Sequence, residues 1–233
     1  MNFESFVLAA STATLADEPR ARAHADAIEF RLDLADEPLA QLAHYDGELP
    51  LLATNRPTWE GGEWSTDERS RLDALTEATT VDAVAAIDVE LAAIRAGAAD
   101  RLLDAAREND VSVVVSVHDF DGTSSCSTLL ALLEAAGAHG AVAKLAVTAE
   151  SPADTLTLLR ATHEATAAGQ PVATMAMGEL GTHTRAVAPI YGSRIGYAPI
   201  DPAATTAPGQ LDLATLATTI ESVFVTGRAK REN

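Results

Sequence analysis

Short apolar runs alternate with amphipathic stretches along the whole chain. Runs such as Val113-Val114-Val115 and Ala141-Val142-Ala143 are apolar at every position, as strands buried on both faces are. Strands are predicted at 5–10, 27–32, 51–54, 84–91, 112–117, 141–146, 172–177 and 194–197. Helices are predicted between them, near 20–26, 39–44, 67–77, 98–109, 125–136, 153–168, 181–187 and 211–223. Ser151-Pro152 and Thr66-Asp67 resemble helix starts, while Gly137 and Gly169 fall where helices end.

Strands that alternate with helices form βαβ units and a parallel sheet. Eight such units fit a closed (β/α)8 barrel, the TIM-barrel architecture. A doubly wound open sheet is the alternative, but no Gly-x-Gly-x-x-Gly follows an early strand. No linker-like tract divides the chain, so residues 1–233 are expected to form one domain, with 226–233 as a frayed tail. Residues 201–209, rich in Pro, Ala and Thr, read as a long loop between the last strand and the last helix. Long loops in compact domains are usually functional.

Composition narrows the function. Acidic residues outnumber basic ones 34 to 16, giving a net charge of −18. A phosphate backbone requires a basic patch, so a nucleic-acid partner is not expected, and an anionic membrane surface is disfavoured for the same reason. Dense carboxylates with so little lysine point to adaptation to concentrated salt. The single cysteine, Cys126, leaves no internal disulfide, and no Cys/His cluster resembles a zinc site. The N-terminus does not read as a signal peptide and no run approaches membrane-spanning length, so a cytoplasmic location is expected.

The chain has only two lysines. Lys230 lies in the charged tail, whereas Lys144 interrupts the apolar run 141–147. Lysine is almost never fully buried without a reason. A desolvated ammonium loses its proton more easily, and the free amine can form an imine with a carbonyl substrate. A strand-end lysine snorkelling to solvent is the plainer alternative. Barrel enzymes hold their chemistry at the C-terminal ends of strands, and the other exceptional polar residues fall there. Glu29, Arg31 and Asp33 share one face of the second strand. Arg56 follows the third and suits a carboxylate or hydroxyl. The Gly61-Gly62 pair permits a turn that brings Glu60 inward. Asp88 and Glu90 share a face of the fourth strand, costly unless paired, and are expected in a supporting role. His118 ends the fifth strand, a proton shuttle adjacent to the strand bearing Lys144. Arg185 follows strand seven. Thr206 and Gln210 offer a hydroxyl and an amide in the last loop.

Taken in order and spacing, these segments resemble the type I 3-dehydroquinate dehydratases, the Schiff-base class of that shikimate-pathway enzyme. The carrying segments are Glu29-Phe30-Arg31-Leu32-Asp33, Arg56 with Glu60-Gly61-Gly62, Ser116-Val117-His118-Asp119-Phe120, Ala143-Lys144-Leu145-Ala146, Met177-Gly178 with Arg185, and Ala207-Pro208-Gly209-Gln210. The resemblance implies a (β/α)8 barrel, conversion of 3-dehydroquinate to 3-dehydroshikimate and water, no metal or organic cofactor, and commonly a homodimer. It also implies roles. Lys144 forms the imine, His118 moves the protons, and Glu60 orients His118. Glu29, Arg31 and Arg56 hold substrate hydroxyls, Arg185 binds the carboxylate, and Thr206 and Gln210 close the site. The chain departs from the family with Thr206 where serine is frequent, with Pro57 after Arg56, and with a short segment before Glu29, where Ser11 is the candidate contact.

Two other readings remain at this stage. A class I aldolase also carries a strand-borne lysine in a barrel, but it needs a phosphate site, of which Met177-Gly178 and Gly181 make a poor version. A non-catalytic ligand-binding barrel leaves the joint presence of Glu60, His118 and Lys144 unexplained.

Overall fold

The computed structural model describes residues 1–201, 203 and 209–228. Eight strands make one parallel sheet: β1 (Val7–Thr12), β2 (Ala27–Arg31), β3 (Leu51–Thr54), β4 (Val84–Glu90), β5 (Ser112–Asp119), β6 (Val142–Thr148), β7 (Val172–Met177) and β8 (Ile195–Pro199). Neighbours pair in chain order from β1 to β7, and β8 pairs with β1. At the remaining seam the Arg194 N–H donates to the Val172 carbonyl at 2.7 Å, and the Thr174 N–H donates to Ser193 Oγ at 3.0 Å. The sheet is therefore a nearly closed barrel.

Around it lie α1 (Pro38–Ala43), α2 (Glu68–Ala78), α3 (Leu91–Arg95), α4 (Asp100–Glu108), α5 (Cys126–Gly137), α6 (Pro152–Ala167), α7 (Thr184–Val187) and α8 (Leu213–Arg228). The starts of α2 and α6 follow the capping chemistry read in the sequence. Asp67 accepts the Ser70 N–H at 2.8 Å, and Ser151 and Asp154 form a reciprocal capping box.

All eight predicted strands are present, with ends within two residues of the expected ones. The helix expected at 20–26 is not there. A 3-10 turn spans Leu15–Arg20 instead, with Pro19 inside it, which supplies no N–H to a longer helix. Buried Glu18 accepts from the Arg22 side chain and from the N–H groups of Glu48 and Leu49, which pins the segment as a loop. The helix expected at 181–187 shortens to α7 between two 3-10 turns. Helix α8 carries the backbone through 226–228 of the expected tail, and 229–233 lie outside the described residues.

Period-two alternation sorts the strand residues into two cores. Ile28, Phe30, Leu51, Ile87, Val115 and Leu145 face the helices. Val7, Ala27, Leu52, Ala86, Val114, Val142 and Ile195 fill the lower barrel. Phe3 packs beneath them, and Ser112 Oγ donates to the Met1 carbonyl at 2.7 Å. One or two steps further along the same inward faces the residues become polar: Glu29, Asp88, Ser116 and Lys144, all buried. An apolar floor thus carries a charged layer at the C-terminal mouth. No helix among the described residues is long and apolar enough to cross a membrane.

Candidate active site

Lys144 sits inside the barrel on β6, in register with Ser116 on β5 and Ala173 on β7. Its side chain is 6% exposed, so the snorkelling alternative fails. Nζ donates to Asp88 Oδ2 at 2.8 Å and lies 3.9 Å from Glu29 Oε1. The Tyr197 ring of β8 presents its face 4.2 Å from the ammonium, within range of a cation–π contact. Burial favours the neutral carboxyl of Asp88, but the cations of Arg56 and Lys144 outweigh it and hold Asp88 far below the carboxylate range.

Glu60 reaches the same chamber from the loop after β3. Gly61 adopts φ 77, and a Cβ there would strike the Phe120 ring at 2.4 Å. A Cβ on Gly62 would fall 2.1 Å from the Arg56 carbonyl oxygen. The Arg56 backbone leaves no room for a side chain at 62, the positive φ favours glycine at 61, and the return buries Glu60. Glu60 Oε2 is 2.7 Å from His118 Nδ1. Burial pushes the Glu60 carboxyl up to about 8, with Arg56 opposing. Burial also drives His118 well below its ordinary value, helped by the cations of Arg56 and Lys144. The pair therefore disfavours the carboxylate–imidazolium form. With Glu60 ionised, Nδ1 carries the proton and Nε2 is left as a base. The Phe120 ring stacks against the imidazole at 6.1 Å between centroids.

Arg56 is the hub of the charged layer. Its Nη1 donates to Glu90 Oε1 at 2.6 Å and to Ser116 Oγ at 2.7 Å, and its Nη2 is 2.8 Å from Asp88 Oδ1. Glu60 Oε2 lies 3.8 Å away. Burial works against this charge, but Asp88, Glu90 and Glu60 together raise its pKa. Asp88 and Glu90, expected only in support, are thus central to the site's charge balance. Glu29 accepts from Ser11 at 2.5 Å and Thr54 at 3.2 Å, and Arg31 makes a bidentate pair with Asp33 at 2.8 and 2.6 Å. Ser11, the first-strand candidate, is one residue removed from the cavity behind Glu29.

These groups line one open cavity at the barrel mouth. Glu29, Arg31, Arg56, Glu60, His118 and Lys144 share it with Arg185 and Gln210. Arg185 is buried, and its Nε and Nη2 have no partner among the described residues. Burial lowers its pKa to about 10. An uncompensated guanidinium facing a cavity is built to receive an anion. Thr206 lies outside the described residues. No cluster of three or more His, Cys, Asp or Glu among the described residues could hold a metal ion.

The model for "Type I 3-dehydroquinase" matches residues 6–226. The chain belongs to the type I 3-dehydroquinase family. A 3-dehydroquinate dehydratase of Haloarcula marismortui is 59% identical over 224 residues, which cover 94% of this chain and 97% of the relative. One from Halobacterium salinarum is 53% identical over 220 residues, covering 93% and 96%. The crystal structure of 3-dehydroquinate dehydratase from Geobacillus kaustophilus superposes with a TM-score of 0.82 at 30% identity, covering 95% of this chain and 92% of that one.

Within this type I dehydroquinase the sequence reading missed Tyr197. The alternation Ile195, Tyr197 along β8 places it inward, yet nothing in the chain order signals that its ring meets Lys144 from across the barrel.

Proposed function

We propose that this chain is a 3-dehydroquinate dehydratase that eliminates water from 3-dehydroquinate through an imine on Lys144, giving 3-dehydroshikimate. One observation carries the residue roles: a buried amine, a histidine–carboxylate pair and an unpartnered guanidinium converge on one cavity. Lys144 adds to the substrate ketone, and loss of water leaves a protonated imine with Asp88 as its counter-ion. The iminium draws electrons from the adjacent carbon, so His118 Nε2 can take the α-proton and leave an enamine. The enamine expels the β-hydroxyl as His118 returns a proton to it, and water then releases product and amine. Glu60 holds His118 in the required tautomer. Arg185 fixes the substrate carboxylate, and Glu29, Arg31, Arg56, Gln210 and Thr206 orient the hydroxyls. Such positioning contributes by fixing the reacting geometry before the chemical step.

The enzyme works in the cytoplasm of a salt-adapted cell as a homodimer. The net charge of −18 and the haloarchaeal relatives support the salt adaptation. Leu156 of α6 and Ile190 and Tyr191, on an adjoining 3-10 turn, expose apolar surface suited to self-association. Sedimentation at the mass of a single chain would remove the dimer from this reading.

Borohydride reduction with 3-dehydroquinate in concentrated KCl, followed by peptide mapping, tests the mechanism. The adduct is expected on Lys144, and Lys144→Ala should abolish both adduct and turnover. A folded wild-type sample giving turnover without an adduct would sink the imine route.

A further inference from the structure

Arg71 lies on α2, outside the cavity lining, and its side chain is fully buried. A buried arginine on a helix facing a barrel needs partners, and it has them on both sides. Outward, Nε and Nη2 hold Glu68 at 2.9 and 2.7 Å. Toward β3, Nη1 donates to the Asn55 carbonyl at 2.6 Å, while Asn55 Nδ2 donates back to the Arg71 carbonyl at 3.1 Å. Inward, Nη2 lies 2.7 Å from Glu90 Oε2, an ion contact whose angle departs from that of a hydrogen bond. Glu90 in turn holds Arg56 through Oε1 at 2.6 Å. Burial pushes the Glu90 carboxyl up, and Arg56 and Arg71 oppose it.

Arg56 Nη1 has two carboxylates within reach, Glu90 at 2.6 Å and Glu60 at 3.8 Å. Glu60 is the group paired with His118, and it is also faced by Asp88, Glu90 and Lys144. Asp88 already holds Arg56 Nη2 at 2.8 Å and Ser116 Oγ already accepts from Nη1 at 2.7 Å, so if Glu90 lost its charge the carboxylate left within reach of Nη1 would be Glu60. An arginine on Glu60 would favour the ionised carboxyl and compete with His118 for Oε2.

We infer that Arg71 is a positioning residue for the reaction: by keeping Glu90 ionised, it holds Arg56 away from Glu60 and leaves Glu60 to His118. This inference rests on the proposed role of the Glu60–His118 pair and extends it to a side chain on the outer helical layer.

The test is the pH profile of kcat for Arg71→Met, Glu90→Gln and Arg71→Lys. Arg71→Met and Glu90→Gln should both move the acid limb down by about one pH unit, the tenfold change in proton affinity that about 1.4 kcal/mol represents, and lower kcat about tenfold. Arg71→Lys retains the cation and should keep the limb near the wild-type position. Should Arg71→Met fail to fold, Arg71→Gln takes its place, because Glu90→Gln removes a charge that acts on Glu60 directly and tests only the second half of the relay. A uniform loss of activity with an unmoved limb, or a limb displaced to higher pH, would overturn the inference. Borohydride trapping on Lys144 of the wild type is read separately: trapping with unmoved limbs sinks only the Arg71 role, whereas absence of trapping sinks the mechanism beneath it.

Discussion

Arg185 offers a way to separate folding from catalysis. Its Nε and Nη2 have no partner among the described residues, and burial lowers its pKa to about 10. Relative to an ordinary arginine that displacement corresponds to about 3 kcal/mol of unfavourable charge burial. Arg185→Met keeps much of the aliphatic volume and removes the charge, at a packing cost of about 1 kcal/mol. The net gain of about 2 kcal/mol should raise Tm by roughly 4–8 °C for a domain of this length. Catalysis should move the other way. Loss of a charge-assisted grip on the substrate carboxylate, about 3–4 kcal/mol, lowers kcat/KM by roughly 10^2–10^3. Paired measurements in concentrated KCl decide the matter: thermal unfolding of the free proteins, then steady-state kinetics with 3-dehydroquinate. A variant that melts at or below the wild-type temperature while keeping its kcat/KM would refute the view that Arg185 is a strained, substrate-directed cation.

His118→Ala should still form a reducible adduct on Lys144 while elimination stops, as seen by mass spectrometry of the trapped protein beside an absorbance assay for the enone product; a wild-type rate would remove His118 from proton transfer. In the wild type, kcat should rise as pH increases through about 8, because deprotonation of Glu60 is what leaves His118 Nε2 open as a base. Glu60→Gln removes that titration and should displace the limb downward, toward the depressed His118; an unmoved limb would assign it to another group. Transfer from concentrated to dilute KCl should lower Tm sharply, since a net charge of −18 repels itself once screening is lost. A Tm indifferent to salt would contradict salt adaptation.

The strand positions were legible in the chain because burial on both faces leaves an apolar run that turn residues interrupt. The same signal exposed Lys144, the one charge that breaks the 141–147 run. Glycines at 61 and 62 foretold the inward turn of Glu60, since the turn needs a positive φ at 61 and close approach to the Arg56 carbonyl at 62. The segment at 20–26 misled because helical spacing of apolar residues takes no account of Glu18, whose buried carboxylate gathers partners from a distant loop. In the charged layer, sequence determined which side chains are present and which face each occupies, through the period of two. It did not determine who pairs with whom. Asp88 meets Lys144 across 56 positions, and Tyr197 reaches the same ammonium from the eighth strand. Arg56 also takes Glu90 as a closer partner than Glu60. Those choices depend on barrel closure, which brings strands distant in the chain within a few ångströms and fixes the distances on which electrostatic energies depend.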